Sequence, residues 1–399
     1  MKIRNALYLN LILLLASSAI AQVPCSATIL PNPTLFVNWP QFQYDAAHTG
    51  CNPYESILNP STVPNLGQKW AVGARFTDFS SPVVANGMIY VSSFAGQGLY
   101  LGHVFALSAN NASEVWSYST GVEFVTFSSP AAGSGLVYVG ASDDNVYALD
   151  AKTGAVIWTY ATGGSVATPT LANGVVYVGS DQVYALDGST GALLWKYATG
   201  GSLGVSPTAA NGNVYIGGSG FYALNASTGT LVWHNPTGSF SSTAAVANGK
   251  VYALGNDNNL YALNASTGAV VWQDPIIAGA ASPAVSRGVV YAGSSDGHVY
   301  ALNGSTGVIL WQYASPYQWL TSAAVADGVL YISSDSDTSA LDTGTGALLW
   351  HHGGGLYSYS SPVIANGTLY VAANAEPDYP DYVYAFSVIG AAGPGKRPE

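Results

Sequence analysis

One phrase of sequence recurs along this chain at an interval near 39 residues. It reads Ala-x-Asp/Asn-x-x-Thr-Gly-x-x-x-Trp and is complete six times, at residues 148–158, 185–195, 223–233, 262–272, 301–311 and 340–350. Repeats of this length that are built from short β segments stack around an axis as the blades of a propeller. Because a single blade cannot bury both of its faces, the blades stabilise one another.

Within one repeat the apolar residues form four short runs, which predict the four antiparallel strands of a blade. In residues 167–200 these runs are ATPTL, VVYVG, QVYAL and ALLWKY. The first turn is a two-residue hairpin, because a pair such as Asn-Gly tolerates positive φ at both centres. Such pairs stand at residues 86–87, 173–174, 211–212, 248–249, 287–288, 327–328 and 366–367. In the last hairpin, Asp150 should accept backbone N–H bonds while Gly154 takes the left-handed position.

Two sequence markers count the blades, and both give eight. First-strand segments begin near Ser80, Ser128, Ala167, Val205, Ser242, Ala281, Thr321 and Ser360. Outer-strand tryptophans are Trp70, Trp116, Trp158, Trp195, Trp233, Trp272, Trp311 and Trp350. Trp70 precedes every first-strand segment, and no tryptophan follows the last one. We therefore predict that the Trp70 strand completes the last blade and closes the ring, which leaves no open sheet edge.

The sequence thus predicts an all-β, eight-bladed propeller of four-stranded antiparallel blades over residues 66–388. Seven blades is the alternative, if the first unit with its insertion is not a true blade. The tryptophans are expected to form a structural girdle in which each ring packs against the neighbouring blade, since a ligand site would not need eight copies.

The first 21 residues have the pattern of a cleaved secretory signal peptide. Lys2 and Arg4 precede a short apolar run, and small residues follow it. The run is too short to span a bilayer, so we expect an exported protein, in the periplasm or outside the cell, without a membrane span. Without Lys2 and Arg4, eight basic and 21 acidic side chains leave a net charge of −13. Such an acidic body repels phosphate backbones and argues against nucleic acid as a partner.

Residues 22–65 precede the repeats and are expected to pack on the propeller, whereas residues 389–399 are expected to be a disordered tail. Cys25 and Cys51 are the only two cysteines, and both lie before the first propeller strand. In an oxidising compartment they predict one disulfide that pins this segment, with two free thiols as the alternative.

The repeat phrase, together with WPQFQYDAAHTG at residues 39–50, resembles the pyrroloquinoline-quinone (PQQ)-like β-propeller repeat family. The similarity covers nearly all of residues 37–387. That family includes quinoprotein alcohol dehydrogenases and also non-catalytic relatives, such as the propeller lipoprotein of the outer-membrane β-barrel assembly machine. The resemblance therefore implies the fold and leaves the activity to be argued from the residues.

The dehydrogenase function would imply PQQ and Ca²⁺ as cofactors, a vicinal disulfide and a catalytic Asp. Here the two cysteines are not adjacent, and a haem attachment motif Cys-x-x-Cys-His is absent. Acidic residues stand mostly at hairpin tips, where solvated turns explain them, and the run from Asp335 to Asp337 offers too few oxygens for a calcium cage. We predict no catalytic residue, no metal site and no cofactor, with PQQ and Ca²⁺ entering only under the alternative function.

Functional information is expected where units depart from the repeat. Loops at residues 94–103 and 374–381 are enlarged, in the first and last blades. The segments that cross between blades consist of small residues in blades three to six but contain aromatic residues in the other blades. We predict an aromatic crescent on blades seven, eight, one and two, interleaved with three charges. Its residues are Phe76, Phe79, Phe124, Phe127, Tyr317, Trp319, Tyr357 and Tyr359, with Arg75, Asp78 and Glu123.

Aromatic clusters with polar rims are typical of surfaces that bind proteins or sugar rings. The alternative is that these rings plug the central channel or pack beneath the long loops. The first hypothesis is an exported, monomeric, non-enzymatic scaffold that binds a protein or carbohydrate through its loop-rich face. The second is a quinoprotein alcohol or sugar dehydrogenase with a divergent site, and carbohydrate binding alone is the third.

Overall fold

The computed structural model describes residues 38–73, 80–93, 101–122, 126–201, 203–276, 281–353, 356–357, 360–375 and 382–388. These residues form eight antiparallel sheets of four main strands each, arranged as blades around one axis. The ordered helical structure in this part is one short 3₁₀ turn, Val63–Asn65. No helix within these ranges has the length and apolar character needed to cross a bilayer.

Each blade is a meander that runs from the axis outward. Blade one holds β3 Val83–Ala85, β4 Met88–Ser93, β5 His103–Ser108 and β6 Glu114–Tyr118. Blade two holds β7 Ala131–Gly133, β8 Leu136–Gly140, β9 Asn145–Asp150 and β10 Val156–Ala161. Blade three holds β11 Thr170–Ala172, β12 Val175–Gly179, β13 Val183–Asp187 and β14 Leu193–Tyr197. Blade four holds β15 Thr208–Ala210, β16 Asn213–Gly218, β17 Gly220–Asn225 and β18 Leu231–Asn235.

The second half of the ring repeats this order. Blade five holds β19 Ala245–Ala247, β20 Lys250–Leu254, β21 Asn259–Asn264 and β22 Val270–Pro275. Blade six holds β23 Ala284–Ser286, β24 Val289–Gly293, β25 His298–Asn303 and β26 Ile309–Ala314. Blade seven holds β27 Ala324–Ala326, β28 Val329–Ser333, β29 Asp337–Asp342 and β30 Leu348–Gly353, with β1 Cys51–Asn52 parallel to β27. Blade eight holds β32 Val363–Ala365, β33 Thr368–Ala375, β34 Tyr382–Val388 and β2 Leu66–Gly73, and the short β31 Leu356–Tyr357 also pairs with β33.

The ring closes as the sequence predicts. The strand that carries Trp70, β2, is antiparallel to β34 and forms the outer strand of blade eight. The innermost strands contact each other in ring order, and β32 of blade eight contacts β3 of blade one. The unit with the insertion is a true four-stranded blade, so the prediction of eight blades is confirmed and seven is excluded.

Every innermost strand begins three residues later than its predicted start. The first is β3, which begins at Val83 instead of Ser80, and the last is β32, which begins at Val363 instead of Ser360. A proline stands directly before the strand in most blades, for example Pro82 and Pro362. Single bonds form earlier, such as that from Ser80 N–H to the carbonyl of Ser92, but proline has no N–H to donate, so in these blades the continuous ladder begins after it.

The turn predictions are confirmed in backbone geometry. Both centres of the first hairpin have positive φ, as at Asn173 (51°) and Gly174 (78°). Blade two forms the same turn with Ser134 and Gly135, a pair that the Asn-Gly signal missed. In the last hairpin, Asp150 Oδ1 accepts the N–H groups of Lys152 at 3.0 Å and Thr153 at 2.9 Å, while Gly154 has a φ of 72°.

The core lies between blades. Seven clusters of buried apolar side chains fill the spaces between neighbouring sheets, for example the cluster of Tyr138, Trp158 and Tyr184 between blades two and three. Apolar burial is the main favourable term in folding, and here most of it exists only when adjacent blades meet.

The tryptophan girdle forms these junctions. In seven blades the indole N–H donates to a backbone carbonyl of the next blade at 2.9–3.1 Å. The pairs are Trp116 with Ala151, Trp158 with Gly188, Trp195 with Ala226, Trp233 with Ala265, Trp272 with Gly304, Trp311 with Thr343, and Trp350 with Leu66. The indole also lies against the glycine of the Thr-Gly turn in the following blade. A Cβ added to that glycine would lie 2.4–3.0 Å from the indole. These contacts explain why Thr-Gly and Trp recur together.

The eighth junction, between blades eight and one, is different. Trp70 Nε1 is buried and has no hydrogen-bond partner. By repeat equivalence the turn that faces it has Ala112 where the other turns have Gly, and Ala112 is held at a φ of 59°. At the other Thr-Gly turns a Cβ in this place would lie 2.4–3.0 Å from the indole, so we infer that the methyl group of Ala112 keeps Trp70 from its hydrogen bond.

Residues 38–55, which we name the N-terminal belt, run around the inside of the ring. The belt makes a hydrogen bond to the middle residue of every innermost strand. These residues are Val84, Ala132, Leu171, Ala209, Val246, Val285, Val325 and Ile364. The belt ends at Glu55, whose carboxylate accepts the N–H groups of Ile57 and Gly367. Residues 22–37 of the N-terminal segment lie outside the described residues, and the belt is the part of that segment that lines the ring.

His48 and Asp45 are two of the ionisable side chains that the belt shields from water. His48 is fully buried between Thr170 and Thr208, and burial lowers its pKa to about 3. Burial also raises the pKa of Asp45 to about 6, against the hydrogen bonds from Thr49 that lower it. Each group is therefore held in the ring at a cost that depends on pH.

The orphan indole of Trp70 gives a first prediction. Ala112→Gly should stabilise the protein by about 1–2 kcal/mol, because it permits the eighth hydrogen bond and relieves the left-handed alanine. Urea unfolding of the two proteins measures the difference. Gly154→Ala, which places a methyl group against Trp116, is the reciprocal control and should destabilise the fold. Equal stabilities of the wild type and Ala112→Gly would contradict this account of the junction.

The buried histidine gives a second prediction. Because the folded state holds His48 neutral, its contribution to the free energy of unfolding is complete above about pH 6.5. That contribution falls with pH, by about 2 kcal/mol between pH 7 and 5. The raised pKa of Asp45 has the opposite effect. The ionised carboxylate destabilises the folded state, and protonation below about pH 6 removes that cost. We therefore expect His48→Gln to become more stable on acidification from pH 7 to 5, whereas the wild type does not.

Urea unfolding at pH 7, 6 and 5 tests this sign reversal. His234→Gln, at an exposed histidine, is the control and should keep the wild-type pH dependence. A His48→Gln profile parallel to that of the wild type would show that His48 titrates normally in the folded state.

Candidate functional site

The predicted aromatic crescent is divided by the structure. Phe76, Phe79, Phe124, Tyr359, Arg75, Asp78 and Glu123 lie outside the described residues, as does Cys25, whereas Cys51 is disulfide-bonded. Of Tyr357 the structure describes the backbone, which pairs with Asn374. Phe127 is buried against Tyr118 and Tyr147, so it belongs to the core rather than to an exposed crescent. Its backbone forms an isolated antiparallel bridge with Ala141 of the same blade.

Tyr317 and Trp319 lie on the segment that crosses from blade six to blade seven. Trp319 has 63 % of its surface exposed, the largest exposed fraction among the large apolar side chains of the described residues. Its φ is 55°, a left-handed conformation that costs a bulky residue about 1–2 kcal/mol. Leu320 is buried directly after it and anchors the segment. An exposed indole on a strained backbone is a feature that clusters at binding sites.

The crossing segment contacts an acidic turn of blade seven. The backbone N–H of Asp335 donates to the carbonyl of Gln318, at a distance of 3.4 Å. Asp337 is 4 % exposed; its Oδ2 accepts the hydroxyl of Ser339 at 2.9 Å, and its Oδ1 has no hydrogen-bond partner. Oδ1 lies 3.7 Å from Nδ1 of His351, whose side chain is 60 % exposed. We name Asp335, Asp337, Ser339 and His351 the acidic corner.

The acidic corner arises from a substitution within the repeat. In blades two, three and five a turn carboxylate accepts the hydroxyl of a tyrosine on the third strand, in the pairs Asp143 with Tyr147, Asp181 with Tyr184 and Asp257 with Tyr261. The equivalent of that tyrosine in blade seven is Ser339. Asp335 stands at the place of the turn carboxylate, and Asp337 stands where blade two has Asn145. The hydroxyl of Ser339 donates to Oδ2 of Asp337, while Oδ1 of Asp335 and Oδ1 of Asp337 are buried without a hydrogen-bond partner. These acidic residues were expected in solvated turns. The sequence feature that distinguishes them is Ser339, at a position where other blades have tyrosine.

The acidic corner and Trp319 lie on the same face of the ring. Connections between blades and turns between second and third strands share one face, because chain direction alternates in a meander. Burial raises the pKa of Tyr313 on the neighbouring strand, and the charge of Asp337 raises it further, against a hydrogen bond from Ser339. Such a surface suits a cationic or hydrogen-donating group that pairs with a carboxylate and stacks on an aromatic ring. Among the described residues no three His, Cys, Asp or Glu side chains are grouped to hold a metal.

The channel is the second place that sequence reasoning marked. Its axis is closed by Phe42 and Gln43 of the N-terminal belt, and Gln43 Oε1 is buried without a partner. The small pocket there is too narrow for water and is lined by neutral side chains: Trp39, Phe42, Gln43, Ser81, Pro82, Ala323, Ser361, Pro362 and Val363. PQQ is a planar tricarboxylate that requires cationic donors and a wide slot. The described residues of the channel do not fit it.

Comparison with known proteins adds a family to this geometry. Residues 67–168, 143–281 and 278–377 match a protein-family model described as outer membrane protein assembly factor BamB. None of the curated proteins matches the sequence. The fold is similar to that of BamB from Moraxella catarrhalis, with 20 % identity, 82 % of this chain and 99 % of that chain covered, and a TM-score of 0.66.

The fold is also similar to that of quinoprotein enzymes. Quinohemoprotein alcohol dehydrogenase from Comamonas testosteroni is 18 % identical, with 91 % of this chain and 82 % of that chain covered and a TM-score of 0.76. A europium-containing methanol dehydrogenase is 14 % identical, with 89 % and 98 % covered and a TM-score of 0.75. At these identities the similarity shows a shared fold and does not distinguish a scaffold from an enzyme.

Proposed function

This chain belongs to the PQQ-like β-propeller family whose model is described as outer membrane protein assembly factor BamB, and we propose that it is an exported, non-enzymatic scaffold that binds a protein partner. The partner docks on the loop face at the junction of blades six and seven. The observation that carries the proposal is an exposed, strained Trp319 on a segment that hydrogen-bonds the turn before Asp337, whose buried carboxylate has one oxygen without a hydrogen-bond partner.

The chemistry of this junction selects the partner's contact group. A lysine or arginine side chain provides the donors that Asp337 Oδ1 lacks, and its charge is favoured by the overall charge of −11. The indole of Trp319 adds apolar area and a face for a cation. Tryptophan and desolvated charge pairs account for most of the binding energy in protein interfaces. We therefore propose a basic patch with an apolar neighbour on the partner.

Export rests on the leader pattern at residues 1–21 and on the disulfide-bonded Cys51. Disulfides persist in oxidising compartments such as the periplasm or the cell exterior. An envelope location agrees with the family name and supplies the partners among which the scaffold would act.

The proposal predicts that two substitutions abolish binding without unfolding. Trp319→Ala and Asp337→Asn should each lower retention of the partner from the source organism's envelope fraction by about tenfold or more, which corresponds to about 1.4 kcal/mol. Val308→Ala is the matched control, because Val308 is 62 % exposed but lies directly before the outer strand β26, at the opposite end of the blade. Unchanged retention by both variants, or loss of the fold in both, would refute the docking site.

Added PQQ and Ca²⁺ test the alternative function directly. We expect neither a saturable shift of quinone absorbance nor dye reduction with alcohols or sugars, because the channel residues described above lack cationic donors. Dye reduction that depends on PQQ would identify the protein as a quinoprotein oxidoreductase instead.

A further inference from the structure

A groove lies over blade four, in the half of the ring where the repeats are most regular. Its volume is about 310 Å³, and it opens on the loop face. Its lining is uncharged: Thr199, Gly200, Gly201, Leu203, Gly218, Ser219, Ser239, Phe240 and Asn256. The reason for the groove is visible when blade four is compared with blade three.

In blade three the equivalent space is filled by the protein's own carboxylate. Asp181 Oδ1 accepts the backbone N–H of Gly163 at 3.0 Å and the hydroxyl of Tyr184 at 2.8 Å. Although burial raises the pKa of Asp181, the bonds from Tyr184, Gln182 and Gly163 outweigh it and lower the pKa. A Cβ on Gly163 would lie 2.4 Å from the carboxylate, so the glycine is needed for this contact. Asp181 thus clamps the Gly163–Gly164 segment as a bound anion would.

Blade four repeats the surrounding residues and lacks the anion. ATGGS at residues 198–202 repeats ATGGS at residues 161–165, whereas Ser219 stands in the place of Asp181. The hydroxyl of Tyr222, the equivalent of Tyr184, donates to the carbonyl of Thr199 at 3.0 Å instead. Within the part of the chain that is described, the N–H groups of Gly200 and Gly201 have no hydrogen-bond partner. A Cβ on either glycine would meet no atom within 4 Å.

We propose that the groove over blade four binds the carboxylate of a ligand, in the place that Asp181 fills in blade three. A carboxylate accepts hydrogen bonds from backbone N–H groups and from hydroxyls such as those of Ser219 and Ser239. The amide of Asn256 donates to Oγ of Ser239 at 3.0 Å and so orients that hydroxyl. No acidic side chain lines the groove, so the negative charge of the protein is not concentrated there. The carboxylate can belong to a uronic acid or to a peptide end. This site is separate from the docking site on blades six and seven, and neither depends on the other.

Two reciprocal substitutions test the proposal. Ser219→Asp restores the internal carboxylate and should abolish binding, whereas Asp181→Ser should create a second site in blade three. The probe is sodium acetate, titrated against sodium chloride at equal ionic strength, and the readout is the amide resonances of [¹⁵N]glycine-labelled protein. In the wild type we expect saturable shifts at Gly200 and Gly201. In Asp181→Ser we expect an additional saturable shift at Gly163.

Ser219→Ala, which adds no carboxylate, is the matched control and should keep the shifts. Loss of at least tenfold in acetate affinity in Ser219→Asp supports the proposal, and unchanged affinity overturns it. If Ser219→Asp does not fold, the gain of a site in Asp181→Ser decides the question. Shifts in the wild type that grow linearly with acetate, without saturation, would also overturn it.

Paired ligands identify the source of the carboxylate. Glucuronate is compared with glucose, and triglycine with triglycine amide. A charged member that binds more tightly than acetate, while its neutral partner does not bind, assigns the groove to an acidic sugar or to a peptide end. Saturable binding of the neutral partners with equal affinity would show that the groove recognises something other than a carboxylate.

Discussion

The fold depends on one hydrogen bond between neighbouring blades. The indole N–H of a tryptophan on the outer strand donates to a backbone carbonyl in the last hairpin of the following blade. The same ring covers a glycine in that hairpin, so the tryptophan and the Thr-Gly turn require each other across the junction. A tyrosine hydroxyl from the second strand, such as that of Tyr138, donates to the same carbonyl as Trp158. Because each junction joins two repeats, a blade has no complete core of its own, and stability accumulates around the ring.

A ring of this kind has a second requirement, at its axis. The innermost strands are three residues long and present unpaired backbone groups to the channel. Unpaired edges are unfavourable when they are buried and are sites of aggregation when they are exposed. The N-terminal belt satisfies them, with one contact to the centre of each strand. It also fills the channel with Phe42 and Gln43, and this sterically opposes a cofactor on the axis.

Sequence periodicity predicted the fold almost completely, because repeats and turn residues follow local rules. Trp70 before the first strand was enough to predict closure of the ring. The starts of the innermost strands were wrong, since proline and the belt determine where pairing begins. The path of the belt was not predictable, because Trp39 to Gly50 carry no periodic signal and each contacts a strand far away in sequence. For the aromatic crescent, the sequence shows which crossing segments contain aromatic residues but not which of these side chains are exposed. Burial of Phe127 and exposure of Trp319 depend on which way each crossing segment turns.

The two sites have a common origin in one local device, the pair of a turn carboxylate and a third-strand tyrosine. Where both members are present, as Asp181 and Tyr184, the tyrosine hydroxyl donates to the carboxylate and the two groups pair with each other. Blade seven keeps the turn carboxylate as Asp335 and replaces the tyrosine with Ser339, which leaves Oδ1 of Asp335 without a donor. Blade four keeps the tyrosine and replaces the carboxylate with Ser219, which leaves donors without an acceptor.

Loss of opposite halves of the pair therefore produces opposite preferences, for a cation at blade seven and for an anion at blade four. Neither change disturbs the tryptophan junctions, since the turn between second and third strands lies at the other end of the blade. A propeller can acquire binding sites in this way by single substitutions, while the contacts that hold the ring together remain unchanged.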